Sequence, residues 1–222
     1  SMELNQVISD AIHDILPAAE VVKIPVADGG EGWVDALMPV LGGERITCWV
    51  EDPLGNTVQA SYAWVEETKT AVIEMAAASG ISLIPWKEGN VMYTTTKGTG
   101  ELIADALERG CKRIWLGIGG SATNDAGVGM LQALGFHFRD KDGQEIKEGG
   151  AYLKEIAEMD DSMANPLLSS CRIEVATDVR NPFYGKEGAA YVFARQKGAS
   201  EEQVALLDEG LRHLADKIQK QY

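Results

Sequence analysis

Cysteine and histidine are both scarce, three of each in 222 residues. Cys48, Cys111 and Cys171 lie far apart and include no C-x-x-C pair, so neither a disulfide framework nor a zinc site is expected, and a reducing compartment is. His13, His137 and His213 show no metal-ligand spacing, which leaves no histidine base to propose. No apolar run approaches the roughly 18 residues that cross a bilayer, and the N-terminus lacks the regions of a signal peptide. A cytoplasmic protein that does not enter membranes is the expectation. Ser1-Met2 reads as a cleavage scar joined to a starting methionine. Positive charge is short as well: 20 Lys and Arg face 34 Asp and Glu, a formal net charge of −14. Phosphate backbones are held mainly by Lys and Arg, so nucleic acid and anionic membranes are excluded as partners. An anionic substrate must then be met by backbone N–H groups, a few basic side chains and a divalent cation.

What is present is the material of a globular enzyme, 45% hydrophobic and 24% charged. Val7, Ile8, Ile12, Ile15 and Leu16 fall at helical spacing between Asn5 and Leu16, and Pro17 ends that helix. A strand is expected over Val21 to Val26, running into Ala27-Asp28-Gly29-Gly30-Glu31-Gly32 and a helix through Trp33, Leu37 and Leu41. Two strands flank a Pro53-Leu54-Gly55-Asn56 turn, and a third covers Thr70 to Met75. From Thr99 the chain alternates: a helix to Arg109, a strand Arg113 to Gly117, a helix Asn124 to Leu134 and a strand Phe136 to Arg139. A strand Arg172 to Thr177 follows. The last helix is capped by Ser200 with Gln203 three residues on, and carries Val204, Leu207, Leu211, Leu214 and Ile218 as one stripe. Such alternation predicts an α/β fold with a mainly parallel or mixed sheet.

Three loops could carry chemistry. After the strand ending at Gly117 comes Ile118-Gly119-Gly120-Ser121-Ala122-Thr123-Asn124-Asp125, where glycines let a ligand approach the backbone and helix N–H groups face an anion. Gly117-x-Gly119-x-x-Ala122 with Asp140 after the next strand also fits a dinucleotide fingerprint, and with it an oxidoreductase. The polar cluster Ser121, Thr123, Asn124 and Asp125 counts against that, while Ser121 or Thr123 could simply cap the helix. Asp28, Gly29, Gly30 and Glu31 form a second loop, suited to a magnesium ion or to accepting a hydroxyl proton. Asp178 and Asn181 lie just past a strand, ahead of Gln196-Lys197-Gly198, and could hold a metal and an anion. Lys97 could neutralise phosphate, although Thr99 as a helix cap reads as well. Asp140-x-Asp142-Gly143 reads as a turn.

Taken together, the blocks PVADGGEG (25–32), AVIEMAAASG (71–80), TTTKGTGELI (94–103), GIGGSATNDAGVGMLQALG (117–135), TDVRNPFYGKEGA (177–189) and FARQKGAS (193–200) resemble the bacterial type of glycerate kinase. The resemblance implies transfer of the γ-phosphoryl of ATP, with Mg2+, to D-glycerate, and 2-phosphoglycerate as the product. It implies two intertwined α/β domains: residues 3–45 as a remnant of the first, 46–198 as the second, and 199–222 as a helix leading back. It further implies that Asp28, Asp125 and Asp178 form an acidic catalytic centre. Gly29, Gly30, Glu31, Gly119, Gly120, Ser121, Asn124, Asn181 and Lys197 would bind substrate or phosphate. Two departures stand out, Ala126 where the family has glycine and Ala194-Arg195 where it has Gly-Pro. The family pattern also starts earlier and runs further than this sequence, so an incomplete first domain, a possible homodimer through unpaired edges, and a fragment that binds ligand without turnover are further expectations.

Overall fold

The computed structural model describes residues 2–24, 29–85 and 91–222. Among them a mixed five-stranded sheet is the organising element. Strand β1 (Glu44–Glu51) turns at Pro53-Leu54-Gly55 into β2 (Thr57–Val65), antiparallel with Glu51 opposite Thr57. Strand β3 (Thr70–Glu74) adds antiparallel to β2, and then β4 (Arg113–Gly117) and β7 (Arg172–Ala176) add in parallel, giving the order β1-β2-β3-β4-β7. Strand β5 (His137–Arg139) and β6 (Glu158–Asp160) form a separate antiparallel ribbon.

Both faces of the sheet are covered. Helix α4 (Lys97–Glu108) presents Leu102, Ile103, Ala106 and Leu107 to Ala71, Ile73, Ile114 and Leu116, all buried. On the other face α2 (Trp33–Leu41) packs Val34 with Ala63 and Val72. The period-two alternation of a strand explains this division, since Ala71 and Ile73 point one way and Val72 the other. Helix α3 (Ala76–Ser79) follows β3, and α5 (Val128–Ala133) lies against α4. A second core joins Val128, Phe138, Leu153, Ile156, the short α6 (Ala189–Phe193) and α7 (Glu201–Gln221), whose Val204, Leu207, Leu211 and Leu214 form the buried stripe. Ser200 accepts from Gln203 N while the Gln203 side chain accepts from Ser200 N, so the expected capping box is there.

Four expectations change. The segment 21–24 forms no strand: it pairs with no strand among the described residues, and Val22 and Ile24 stay 75% and 68% exposed, while residues 25–28 lie outside the described residues. The helix expected from Asn124 is the six-residue α5, because Asn124 to Gly127 are held extended or in turns around the Asp125 side chain. Its N-cap residue is Gly127, so neither Ser121 nor Thr123 caps it. Thr99 is no cap either; α4 begins one turn earlier after Thr96, and the buried Thr99 hydroxyl bonds Ser79 Oγ at 2.8 Å. Helix α1 (Met2–Ile15) forms as expected, yet Leu4, Val7, Ile8 and Ile15 are exposed.

Candidate functional site

The loop that leaves β4, residues 117–123, is clasped from two sides. Gly119 N donates to Gly29 O at 3.2 Å, and a Cβ at Gly119 would stand 2.8 Å from Gly30 Cα. Gly29 adopts φ +85°, and a Cβ there would come within 3.0 Å of the carbonyl of Ala176, the last residue of β7. These glycines therefore let three backbones touch at the carboxyl ends of the strands, where open α/β sheets place their ligands. From the other side Ile81 N donates to Gly120 O and Ala122 N to Ser79 O, both at 2.9 Å.

Into this loop reaches Lys197, the last residue of a 3-10 turn spanning Arg195–Lys197. Its Nζ donates to Ser121 Oγ at 2.8 Å and to the Thr123 carbonyl at 2.7 Å. Burial strips water from the ammonium and pushes its pKa down to about 8, against the pull of the Asp125 carboxylate nearby. An ammonium has three protons, and the third finds no acceptor among the described residues.

Asp125 is 1% exposed. Its Oδ2 accepts from Thr96 N and Thr96 Oγ1 at 2.8 Å and from Gly129 N at 3.3 Å, while Oδ1 accepts from Gly127 N at 3.2 Å. One carboxylate thus serves the first turns of both α4 and α5, where the helix dipoles favour negative charge. Burial raises its pKa and these donors oppose the rise. Neighbouring Asn124 is 7% exposed, and its Oδ1 has no hydrogen-bond partner among the described residues. A buried orphan acceptor of this kind calls for a water or a ligand donor.

The other expected site residues are arranged less tightly. Asp178 is exposed two residues beyond β7, and exposed Asn181 donates to Glu187 O at 3.0 Å; neither bonds to the Lys197 cluster among the described residues. Asp28 lies outside the described residues. Glu31 is exposed beside a cavity of about 280 Å³ that Arg45 and Glu74 also line. Lys97 is taken up by Glu51 at 2.8 Å and Glu148 at 3.2 Å, so it braces β1 against the 148 turn rather than awaiting phosphate. No group of three His, Cys, Asp or Glu side chains gathers for a metal among the described residues. Mg2+ needs only one or two carboxylates where phosphates complete its shell, so the absence of a three-ligand cluster does not speak against it.

Two residues outside the expected set shape the site. Glu74, 8% exposed at the end of β3, accepts from Gly32 N at 3.3 Å and from Val34 N, so it caps α2 from 42 residues away; burial raises its pKa. Its signal in the sequence is an acid closing the apolar run Ala71-Val72-Ile73. Thr96 links Asp125 to Met130 N, and nothing in a row of three threonines singles it out.

The dinucleotide fingerprint fails on topology. Asp140 follows β5, which pairs with β6 in the separate ribbon, whereas the parallel neighbours of β4 are β3 and β7. The acid therefore does not stand beside the glycine loop, as ribose recognition requires. Asp140 instead closes its own turn by accepting from Asp142 N and Gln144 N, as a turn reading predicts.

Residues 1–222 match the model of the glycerate kinase family. The chain belongs to that family. A glycerate kinase of Bacillus cereus is 49% identical over the whole chain, which spans 58% of that relative, and a glycerate 2-kinase of Escherichia coli K12 is 48% identical over 98% of the chain and 57% of its own length. A solved structure of a Salmonella typhimurium LT2 protein named for glycerate kinase 2 superposes with a TM-score of 0.86 at 46% identity, covering 97% of this chain and 57% of that one. The chain therefore spans a little over half the length of the family members it matches. No described helix is long and apolar enough to cross a membrane.

Proposed function

We propose that this chain carries the acceptor-side machinery of a glycerate kinase, which moves the γ-phosphoryl of ATP to the 2-hydroxyl of D-glycerate and yields 2-phosphoglycerate. The observation that carries the reading is Lys197, whose half-used ammonium is fixed at the mouth of the glycine loop by Ser121 and Thr123. It supplies a fixed positive charge for a carboxylate or phosphate in a chain of net charge −14. The Asn124 Oδ1 offers an acceptor for a substrate hydroxyl proton.

The acidic centre then divides its work. Asp125, buried and fully bonded, positions the Ser121–Asn124 loop and offsets the charge of Lys197. Asp178, exposed beyond β7, is the carboxylate proposed to hold Mg2+ or to take the hydroxyl proton. Phosphates would lie against Asn181 and the glycine turn at Gly120, while the Gly119 N–H stays bonded to the Gly29 carbonyl and holds that turn in place. Bound Mg2+ would neutralise charge on the transferred group. Reaction of this kind needs chiefly positioning and charge compensation, which suits these residue types. ATP, Mg2+ and D-glycerate are accordingly the proposed ligands, with the cytoplasm as the compartment.

The test is a coupled ADP-release assay with ATP, Mg2+ and D-glycerate, the product assigned by phosphorus NMR. Asp178→Asn should lower kcat by about 10²-fold or more if it is the base, the scale general-base catalysis contributes. Full turnover in Asp178→Asn, or ADP release that ignores glycerate, would remove Asp178 from the chemistry. Ligand-dependent stabilisation with no turnover would support binding without catalysis.

A further inference from the structure

Beside Lys197 lies a cavity of about 240 Å³ whose walls do not match a small polyhydroxy acid. Ile81, Ile84, Pro85, Val91 and Ala122 line it together with Lys197. Ile81 and Ile84 come from the 3-10 turn after α3, Val91 and Ala122 from the buried core behind the glycine loop, so the apolar wall is built from three separate segments. The polar groups at the rim are almost all engaged. Thr94 Oγ1 donates to the Ala122 carbonyl at 2.9 Å. The Arg195 guanidinium is held by Glu201 at 2.5 and 2.7 Å and by the Tyr191 carbonyl at 2.6 Å. Among the described residues the third proton of Lys197 and the exposed Gln196 remain to meet the polar end of a ligand.

From this geometry we infer that the Lys197 cavity binds monocarboxylates with an aliphatic body of roughly four to six carbons, carboxylate toward Lys197 and hydrocarbon along Ile81, Ile84 and Val91. At about 30 Å³ per water in the liquid, the space equals about eight waters, the size of such an acid. Charge selects the head, since Lys197 brings a cation with an unused proton to the wall. Burial of the body selects the tail, because each buried CH2 favours binding and each hydroxyl of a sugar acid laid against isoleucine would lose its water without a partner. D-glycerate engages the same ammonium with its carboxylate but leaves the apolar wall uncovered. The inference rests on the proposed role of Lys197 as carboxylate anchor and is independent of phosphoryl transfer.

The experiment is titration calorimetry and thermal unfolding of this chain with acetate, D-glycerate, 2-hydroxyisovalerate and hexanoate, at pH 7 and at pH 9.5. Affinity should rise by about tenfold or more from acetate to hexanoate and fall at pH 9.5, where Lys197 loses its proton. Among the described residues Asp125, behind the ammonium, and Arg195, paired with Glu201 at the rim, are the other charges near it. Ile84→Gln, a neutral change at a half-exposed position, should abolish the preference for hexanoate while leaving acetate and D-glycerate within about twofold. Equal affinities along the series, or a hexanoate preference unchanged in Ile84→Gln, would overturn the inference even if glycerate is turned over. Hexanoate binding without glycerate turnover would instead sink the kinase reading and leave this one standing.

Discussion

At the scale of single residues, two side chains carry opposite lessons. Lys197 has a pKa of about 8 in the folded chain against 10.5 for the free side chain. Between those values the unfolded chain holds the extra proton, so this group adds stability as pH rises through them. Anion binding runs the other way, because only the protonated form attracts a carboxylate: affinity for D-glycerate should be flat below about pH 7 and fall above pH 8. Calorimetric titration across pH 6 to 10 checks this, and Lys197→Met should remove the pH dependence. Ala126 sits at φ +55°, a left-handed conformation that costs a residue with a Cβ roughly 1–2 kcal/mol. Ala126→Gly should therefore raise stability by about 1 kcal/mol in urea unfolding. A loss of stability would show that the strain is relieved elsewhere. Ala126 could be marked in the sequence only through the family resemblance, since its backbone angle leaves no trace in composition or periodicity.

The elements divide into those that local sequence specifies and those that distant contacts specify. Helix α7 was legible because its capping box and apolar stripe lie within its own residues, and β1 and β2 because the turn between them is explicit. The short α5 and the lost strand at 21–24 were not legible. In the first case the side chain of Asp125 takes the N–H groups of Gly127 and Gly129, and in the second no strand pairs with 21–24 among the described residues. Glycines misled in a similar way. The sequence suggests that Gly119 makes room for a ligand, whereas what stands against it is another stretch of this chain. Gly119→Ala should accordingly push the 29–30 loop from the β4 loop and cost roughly 1–3 kcal/mol, as overpacking does. Unfolding curves for the variant measure it; a neutral effect would mean that the two loops can part freely.

Across the whole molecule, protection is distributed unevenly. Helices α2 and α4 cover the middle of the sheet, where β3 is buried at all five of its positions, while the edge strand β7 leaves Val175 53% exposed. Helix α1, in contrast, exposes most of its apolar stripe and is attached by side-chain bonds such as Asn5 Nδ2 to the Ile24 carbonyl and Lys23 Nζ to Gln6. Local opening follows contact and burial, so amide exchange in α1 should be roughly a hundredfold faster than in β3 and β4. Exchange read by mass spectrometry on peptides 2–15 and 70–74 makes the comparison. Similar rates would mean that α1 is held by more than these bonds. The fold class was visible in the sequence because a sheet with both faces covered needs alternating strand and helix patterns; which strands neighbour one another was not, since β4 and β7 are separated by more than fifty residues that form a different core.

The bond from Lys197 to the Thr123 carbonyl spans 74 residues, and the one to Ser121 spans 76. Contacts between such remote points close late on a folding route, after the cost of drawing in the intervening loop has been met. The chain can therefore reach a collapsed sheet with native helices while its lysine still hangs in water with an ordinary affinity for protons. A nascent or misassembled copy would look folded to most probes and yet be blind to its ligand, which makes ligand response, rather than helix content, the measure of a finished molecule.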